Sequence, residues 1–330
     1  LNVILYILIQ NYEPNKKLGY YLWILLLSLW LSGNSRMKGF NDSLTNMGVA
    51  VLQPNIDPNS KWDYKKREKT ITYMDSLHSL AINLNPDLIL FPETALPAYL
   101  RLDRHVRDQI QSKVDSSGIP VLTGTVDRTK SPDGKKRYFN SSMFLTPNHK
   151  YILYNKLHLV PFAEYIPLSG QFPFLNMLNF GQGNFTHGSE YTVFEWKDIK
   201  FSNLICYESS IPDVTREFIQ QGAEMLTIQT NDGWLGKSAG PYQHYDVARI
   251  RAIENRVPVV RSANTGISGL ILANGVSIKE QGLGEMAVFK VTVPLGATGS
   301  FYSRNGDVFA MICFVIFLLL GPIPCIRRRS

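Results

Sequence analysis

The stretch DLILFPE, residues 87–93, is an apolar run that ends at a proline and an acidic residue, and it is the clearest indication of the fold. A short apolar run bounded by a breaker is typical of a buried strand. On its N-terminal side, MGVAVLQPN at 47–55 predicts another strand, and the polar stretch 65–84 predicts a helix with apolar residues at helical spacing. On its C-terminal side, residues 101–116 predict a helix that leads into the strand IPVLTGTVD at 119–127. This part of the chain therefore alternates strands and helices.

The rest of the chain continues with many strands and two more helices. A β pattern flanks the turn SPDGKK at 131–136 and extends through FNSSMFLTP and KYILYNKLHLVPF. Further strands are predicted at 199–208, 223–232, 257–265 and 266–274, and helices at about 213–221 and 243–255. This order predicts an α/β fold with a largely buried sheet, and no interior linker divides it.

The composition excludes several classes of protein. Of the 330 residues, 45% are hydrophobic and 18% are charged, which excludes intrinsic disorder and a coiled coil. The net charge of +7 is concentrated at the chain ends, which argues against nucleic-acid binding. Three cysteines are too few for a disulfide scaffold, and the six histidines lack the spacing of metal ligands. We therefore expect no metal, no other cofactor and no nucleic-acid partner.

Both ends of the chain carry apolar segments. Residues 18–35 and 308–326 contain no charged side chain, and each is close to the ~20 residues that cross a ~30 Å hydrocarbon core. Lys16 and Lys17 precede the first segment and three arginines follow the second, which predicts that both flanks are cytoplasmic. We interpret the segments as two membrane spans, with the domain between them on the opposite side. Residues 1–10 are interpreted as the end of an earlier helix of a longer protein.

Three residues are candidates for the chemistry of this domain. Cys206 is the single cysteine between the apolar segments and ends the strand NLICYE, where a thiol can be exposed and its thiolate favoured. Glu93 ends DLILFPE, and Lys156 is a cation within the apolar and aromatic stretch YNKLHLVPFAEYIP. A buried lysine or glutamate is unfavourable unless it is paired. Taken singly, each residue also has a structural interpretation: a small buried hydrophobe, a helix-start residue and a surface side chain.

Three motifs together resemble the nitrilase, or carbon–nitrogen hydrolase, superfamily. FPETALP around Glu93, YNKLHLVPFAEYIP around Lys156 and ICYES around Cys206 match the Glu-Lys-Cys triad of that superfamily in order and in local context. The stretches KLHLVPFAEYIP and NDGWLGKSAGPYQH also resemble its membrane-bound branch, the apolipoprotein N-acyltransferases. The resemblance covers about residues 49–303 and the flanking segments. It implies a four-layer αββα sandwich flanked by transmembrane helices.

The resemblance also implies roles for individual residues. Cys206 would be the nucleophile, Glu93 the general base and Lys156 the group that stabilises the oxyanion. Glu164 matches a further essential glutamate of the family. The other matches lie near the active site or in a loop that covers it: Asn140, Tyr207 and Glu208 beside the triad, and Trp62 and Trp234 on the substrate side.

The function implied by the resemblance is acyl transfer at a membrane. The acyl chain would pass from a phospholipid, with phosphatidylethanolamine as the expected donor, through a Cys206 thioester to the α-amino group of a lipoprotein's diacylglyceryl-cysteine. Residues 1–35 would be membrane segments, 36–303 the catalytic domain, and 304–330 a C-terminal transmembrane helix with a cytoplasmic arginine tail. The enzyme would act as a monomer in the bacterial inner membrane, with its catalytic domain facing the periplasm.

Two other functions stay open from the sequence. A membrane-tethered amidase or nitrilase would use the same triad on a small C–N substrate, and a non-catalytic scaffold would keep only the fold. The uncharged stretch 168–185 and the loop that holds Trp234 are candidate covers of the site, because apolar loops would keep water from a thioester. Two residues depart from the family's pattern: Ala163 replaces a glycine, and Leu235 replaces an aromatic residue.

Overall fold

The chain forms two compact units, Leu1–Ser43 and Leu44–Ser330. The computed structural model describes residues 16–38, 45–58, 63–169, 171–178, 184–296 and 299–320. The described part of the first unit is a single helix, α1 (Lys16–Lys38). The second unit contains two sheets, the helices that pack on them and the candidate site.

Within the described residues, twelve strands form two six-stranded sheets. The strands are β1 (Thr45–Gln53), β2 (Leu88–Leu90), β3 (Val121–Lys130), β4 (Lys136–Thr146), β5 (Lys150–Asn155), β6 (Val193–Trp196), β7 (Ile199–Ile205), β8 (Met225–Thr230), β9 (Val259–Ala263), β10 (Ser268–Ile271), β11 (Ser277–Gln281) and β12 (Ala287–Leu295). The first sheet has the order β12-β1-β2-β3-β4-β5, and the second has the order β11-β10-β9-β8-β7-β6. The strands β1, β2 and β3 are parallel to one another, as are β7, β8 and β9.

Six helices of the second unit are described. They are α2 (Tyr64–Ile82), α3 (Arg104–Ser117), α4 (Pro212–Gln220), α5 (Gly240–Asn255), α6 (Phe301–Asn305) and α7 (Val308–Leu320). The helices α2 and α3 pack on the first sheet, whereas α5 packs on the second and contacts α4. The two sheets pack face to face, since β1 contacts β9 and β4 contacts β7. The predicted four-layer αββα order is therefore the architecture of the second unit.

Aromatic packing marks the core between the sheets. Phe144 of β4 contacts Phe194 of β6 and Phe201 of β7, with ring centroids 5.3 Å apart in both pairs. A second core lies between the first sheet and its helices, where Ile71, Met74 and other apolar residues of α2 are buried. Three- and four-residue spacing of these side chains puts them on one face of the helix, as the sequence predicted.

Several predicted elements need correction. The strand predicted to continue through residues 156–162 ends at Asn155, because the chain turns there to carry the site. The strands β11 and β12 were not predicted, although β12 pairs with β1 along nine residue pairs and completes the first sheet. Lysine and threonine alternate with apolar residues in β12, and such a pattern is also typical of a surface segment.

The predicted membrane spans have a mixed outcome. Helix α1 includes the predicted span 18–35, and α7 begins at the predicted start of the second span. Residues 321–326 of that second span lie outside the described residues. No helix that the structure describes is both long enough and apolar enough to cross a membrane.

Candidate active site

The candidate site lies where strands of both sheets end. Strand β5 is antiparallel to β4, which is antiparallel to β3, so β5 runs in the same direction as β2 and β3. Glu93 follows β2 and Lys156 follows β5, which puts both residues at the carboxyl edge of the first sheet. Cys206 follows β7, which runs parallel to β8. Carboxyl ends of parallel strands are where open α/β sheets bind ligands.

A glycine of β3 allows the backbone around Glu93 to reach its position. The N–H of Gly124 donates to the carbonyl of Pro92 over 3.2 Å, and the carbonyl of Gly124 accepts from Ala95 over 3.0 Å. A Cβ atom at position 124 would lie 2.6 Å from the Cα of Glu93. Strand β3 therefore lies against the Glu93 segment at a separation that only glycine permits.

Lys156 is the cation at the centre of the site. Its side chain is 1% exposed, and its Nζ lies 2.8 Å from Oε2 of Glu164 and 3.9 Å from Oε1 of Glu93. Burial lowers the pKa of Lys156, but the carboxylates of Glu164 and Glu93 raise it, and the net result is a pKa above its ordinary value. Lys156 therefore stays positively charged, with two carboxylates beside it.

Asn140 of β4 joins these two carboxylates. Its Nδ2 donates to Oε1 of Glu93 over 2.8 Å and to Oε1 of Glu164 over 2.9 Å. One amide nitrogen carries two protons, so both hydrogen bonds form at once. The backbone N–H of Lys156 also donates to the carbonyl of Asn140 over 2.8 Å. Four of the predicted site residues thus form one connected network.

Cys206 is half-buried and has a strained backbone. Its φ is 52°, in the left-handed region that residues other than glycine rarely adopt. Burial raises the pKa of Cys206 to about 12, with Glu93 adding to the rise and Lys156 opposing it. The predicted preference for a thiolate at the strand end is therefore opposed by burial and by Glu93, and supported by Lys156.

Glu93 has a raised pKa, which is what a base needs in order to accept the proton of a neutral thiol. Burial raises the pKa of Glu93, Lys156 lowers it and Glu164 raises it again, and the net result lies above the ordinary value. A carboxylate with a raised pKa accepts a proton more readily. Because Glu93 and Lys156 both shift the pKa of Cys206, the three predicted triad residues act on one another electrostatically.

The carboxylate of Glu208 connects the Cys206 segment to the Lys156 segment through hydrogen bonds. Its Oε1 accepts from the hydroxyl of Tyr154 over 2.7 Å and from the N–H groups of Leu157 and His158 over 2.7 and 3.2 Å. Its Oε2 accepts from the N–H of Ile205 over 2.8 Å. Burial raises the pKa of Glu208 to about 7, although Lys156 and these donors lower it. Glu208 therefore fixes the loops on both sides of the site.

The other predicted residues are less enclosed. Tyr207 is 37% exposed and Trp234 is 51% exposed, so both present aromatic surface to a ligand or to solvent. Trp62 lies outside the described residues, as do residues 170 and 179–183 of the predicted cover 168–185. Within that cover, Phe174 and Met177 are exposed. Ala163 has no positive φ, so alanine causes no backbone strain where the family has glycine.

A buried polar cluster beside Cys206 was not predicted. Asp232 pairs with Nη2 of Arg261 over 2.7 Å and with Nδ1 of His244 over 2.8 Å. Nε2 of His244 lies 3.1 Å from the carbonyl oxygen of Cys206. Burial raises the pKa of Asp232, but Arg261 and His244 outweigh it and hold that pKa well below its usual range. The stretch NDGWLGKSAGPYQH contains both Asp232 and His244, yet the sequence analysis singled out only Trp234 and Leu235 within it.

The arrangement has the parts that covalent acyl chemistry requires. It contains a thiol, a carboxylate able to accept the thiol proton, and a buried cation able to stabilise a developing oxyanion. The profile of the carbon-nitrogen hydrolase family matches residues 48–302. The chain belongs to the carbon-nitrogen hydrolase family. The resemblance predicted from the three motifs is therefore confirmed.

Three curated relatives of this carbon-nitrogen hydrolase are apolipoprotein N-acyltransferases. An apolipoprotein N-acyltransferase of Geobacter metallireducens is 34% identical over 337 residues, which cover 100% of this chain and 64% of the relative. One from Chlorobaculum tepidum is 33% identical over 89% of this chain and 60% of the relative. One from Bdellovibrio bacteriovorus is 38% identical over 72% of this chain and 45% of the relative. The chain thus spans less than two thirds of the length of these relatives.

Solved structures of the carbon-nitrogen hydrolase type share the fold. A cysteine-to-alanine mutant of the Nesterenkonia AN1 amidase, from the nitrilase superfamily, has a TM-score of 0.58 at 17% identity. The match covers 78% of this chain and 93% of the amidase. Another structure of that amidase carries the acetamide moiety of fluoroacetamide on its active site cysteine, with a TM-score of 0.56 at 17% identity over 75% and 90% of the two chains. These similarities establish the fold alone.

Proposed function

We propose that this chain is the catalytic part of an apolipoprotein N-acyltransferase, with Cys206 as the acyl-carrying nucleophile. The observation that carries the proposal is the buried arrangement of Lys156 between Glu93 and Glu164 beside Cys206. The similarity to curated apolipoprotein N-acyltransferases supports the choice of reaction within the family. The phospholipid donor and the lipoprotein acceptor follow from that similarity.

The first half-reaction forms a thioester on the enzyme. The sulfur of Cys206 attacks the carbonyl carbon of a phospholipid ester while Glu93 takes the thiol proton. The ammonium of Lys156 stabilises the negative oxygen of the tetrahedral intermediate. The carbon–oxygen ester bond then breaks, and Glu93 returns the proton to the departing alkoxide. The products are a lysophospholipid and an acyl chain bound to Cys206.

The second half-reaction transfers the acyl chain to an amine. The free α-amino group of the lipoprotein's diacylglyceryl-cysteine attacks the thioester carbonyl, and Glu93 accepts a proton from the nitrogen. The carbon–sulfur bond breaks and Cys206 regains its proton. Because Glu93 is neutral after the first proton transfer and anionic after its return, a single carboxyl group serves both steps.

Glu164, Asn140 and Glu208 would hold the triad in place. Glu164 balances the charge of Lys156, and Asn140 fixes the carboxylate of Glu93 through a hydrogen bond of 2.8 Å. Glu208 connects the two loops that carry Lys156 and Cys206. A misplacement of about 1 Å at a reacting group can reduce the rate about 100-fold, so residues that fix these positions matter for catalysis.

Membrane attachment is part of the proposal. Apolar side chains of α1, such as Trp23 and Leu29, are exposed, as are Phe309 and Phe317 of α7. Large contiguous apolar surfaces of this kind are typical of membrane or protein contacts. We assign residues 1–35 and 304–330 to membrane segments of a multi-pass inner-membrane protein. The catalytic domain, 36–303, then faces the periplasm, where it acts as a monomer beside its phospholipid donor, with phosphatidylethanolamine preferred.

Exclusion of water distinguishes an acyltransferase from a phospholipase. Trp234, Phe174 and Met177 are exposed apolar side chains on segments that the sequence identifies as covers of the site. When a lipid acyl chain is bound, such side chains would contact it and keep water from the thioester. Trp62 is proposed as a further substrate-side residue on the basis of the resemblance alone.

The test is the intact mass of the detergent-purified chain after incubation with phosphatidylethanolamine and no acceptor. A gain of one acyl chain, absent from Cys206→Ala, is the expected result. Addition of a diacylglyceryl peptide with a free α-amino group should remove the adduct and acylate the peptide. Turnover of small amides without an acyl adduct would overturn the proposal in favour of an amidase.

A further inference from the structure

A row of buried polar side chains, separate from Glu93 and Lys156, leads to the backbone of Cys206. It begins at Arg261 of β9 and passes through Asp232, which follows β8, to His244 of α5. The side chains of Arg261 and Asp232 are at most 1% exposed, and that of His244 is 11% exposed. Such buried charges persist only where they are paired. None of these residues belongs to the proposed reaction as derived above.

This row of side chains ends at the backbone carbonyl of Cys206. The carbonyl oxygen of Cys206 lies 3.1 Å from Nε2 of His244 and 2.8 Å from the hydroxyl of Ser209. The Ser209 hydroxyl also lies 3.0 Å from Nε2, but it donates its own proton to the carbonyl. A carbonyl oxygen can only accept, so Nε2 must carry a proton for its hydrogen bond to Cys206 to form. Nδ1 of the same ring lies 2.8 Å from Oδ1 of Asp232, which fixes the plane of the imidazole.

Thr230 belongs to the same cluster, because its hydroxyl donates to Oδ1 of Asp232 over 3.0 Å. The charge of Asp232 raises the pKa of Cys206. Asp232 therefore acts on Cys206 in two ways, through His244 and through its own negative charge.

The backbone of Cys206 needs such support. A non-glycine residue in the left-handed region costs on the order of 1–3 kcal/mol and persists where its surroundings fix it. With φ at 52°, relaxation of Cys206 would swing its side chain away from Glu93 and Lys156. The carbonyl of Cys206 and the N–H of Tyr207 share one planar peptide unit and point in opposite directions. A hydrogen bond to the carbonyl therefore also fixes the orientation of that N–H.

We propose that His244, oriented by Asp232 and Arg261, is a positioning residue that holds Cys206 in its reactive backbone conformation through the Nε2–carbonyl hydrogen bond. The inference rests on the proposed use of Cys206 as the nucleophile. It predicts that loss of the donor slows reactions of the sulfur without weakening the binding of the reagent.

Two substitutions at one position separate this role from simple packing. The amide nitrogen of His244→Gln can occupy the place of Nε2 and donate to the Cys206 carbonyl. The shorter side chain of His244→Asn matches Nδ1 instead and leaves the carbonyl without this donor. The matched control is His105→Asn, because His105 is an exposed histidine of α3. All variants are made in the full chain.

The first measurement is the rate at which acrylamide alkylates Cys206, followed by peptide mass spectrometry so that Cys313 does not interfere. This probe needs no phospholipid and no acceptor. We expect His244→Asn to lose on the order of 100-fold in the maximal rate with an unchanged half-saturating concentration. His244→Gln and the control should retain rates close to that of the unmodified chain.

The outcomes decide between the alternatives. Equal losses in the Gln and Asn variants, or no loss in either, would overturn the assignment to the Nε2 hydrogen bond. If His244→Asn does not fold, as judged by circular dichroism, Ser209→Ala removes the second donor to the same carbonyl. The proposal then requires that Ser209→Ala slow alkylation, and an unchanged rate would overturn it.

The same variants separate this inference from the proposed function. If the chain reacts with acrylamide in the expected pattern but never acquires an acyl chain from phosphatidylethanolamine, the acyltransferase proposal fails and the positioning role stands. If the acyl adduct forms at equal rates in all His244 variants, the positioning role fails and the acyltransferase proposal stands.

Discussion

The two sheets contribute to the site in different ways. From the first sheet come Glu93, Asn140 and Lys156, which are linked to one another and to Glu164 through side-chain hydrogen bonds and ion pairs. From the second sheet comes Cys206, whose backbone carbonyl is within hydrogen-bond distance of Ser209 and His244. In the first case the side chains bond to one another, whereas in the second case the hydrogen bonds go to the backbone of the residue. Motifs in a sequence report the first kind of contribution far better than the second.

The largest effect should come from the nucleophile itself. Cys206→Ala removes the sulfur and leaves Lys156 and its partners intact, so the fold should persist while acyl transfer falls by at least about 10⁴-fold. Acylation of the chain, measured by intact mass, and peptide acylation, measured by chromatography, should both disappear. Cys313→Ala is the matched control, because Cys313 is exposed on α7 and lies outside the site. An acyl adduct on Cys206→Ala would move the nucleophile elsewhere.

The second effect tests the base on the first sheet. Glu93→Gln keeps the shape of the side chain but cannot take a proton, and we expect thioester formation to slow by about 10²–10⁴-fold. In the unmodified chain, Glu93 must be ionised to act, so activity should be lost as the pH falls through its pKa. Because that pKa is raised, the loss should occur above the ordinary value of 4.5. A pH profile that keeps its acid limb in Glu93→Gln would assign the limb to another group.

The third effect compares a buried ion pair with an exposed one. Lys156→Met leaves two carboxylates without their cation, so the free energy of unfolding should fall by about 3–5 kcal/mol. Lys197 forms an exposed pair with Asp87 at 2.7 Å, and Lys197→Met should change that free energy by less than about 1 kcal/mol. Denaturant titration followed by circular dichroism gives both values. Equal values would mean that Lys156 is hydrated rather than buried.

The fourth effect tests the connection between the two sheets. Glu208→Gln presents an amide nitrogen to one of the N–H donors that the carboxylate now satisfies. We expect a loss of about 1–3 kcal/mol in unfolding free energy, because a buried donor is left without an acceptor. Glu195→Gln on the exposed face of β6 is the control and should be nearly neutral. Thermal unfolding of the two variants under identical conditions is the measurement. Equal stability of Glu208→Gln and Glu195→Gln would contradict the prediction.

The smallest effect should come from the exposed aromatic side chain of Trp234. Trp234→Ala removes a half-exposed ring, so we expect at most about 1 kcal/mol of lost lipid contact, which is less than tenfold in KM for phospholipid. Alkylation of Cys206 by acrylamide should be unchanged, because the small reagent needs no such contact. A large loss of alkylation would assign Trp234 to the triad's support instead.

Local patterns predicted much of the fold for a simple reason. The apolar runs that became β1, β2, β3 and β7 lie where the sequence predicted strands, because alternation and breaker residues are properties of neighbouring positions. The strand β12 was missed because its pairing with β1 joins residues more than two hundred positions apart. The turn at Asn155 was missed because Lys156 is drawn into the site by partners that are distant in sequence.

The site residues also divide into those that local sequence patterns predicted and those that they missed. Glu93, Lys156 and Cys206 were identified because each is a reactive or charged residue in an apolar setting, and Glu164 and Glu208 because they match a family motif. Asp232 and His244 were overlooked, although they lie in a quoted stretch, because their role depends on the carbonyl of Cys206 and not on a side chain. Arg261 offered no local signal, since it is an ordinary residue of a buried strand until Asp232 is placed beside it.

The sequence by itself determined the α/β class, the order of most strands and helices and the family, and it predicted the three residues of the proposed triad. These follow from the periodicity of apolar residues and from the identity of side chains at strand ends. Only the tertiary structure decided that Lys156 lies between two carboxylates, that burial raises the pKa of Cys206, and that Nε2 of His244 lies 3.1 Å from the carbonyl oxygen of Cys206. Burial, electrostatic coupling and backbone strain depend on distances across both sheets, and those distances exist only when the chain is folded.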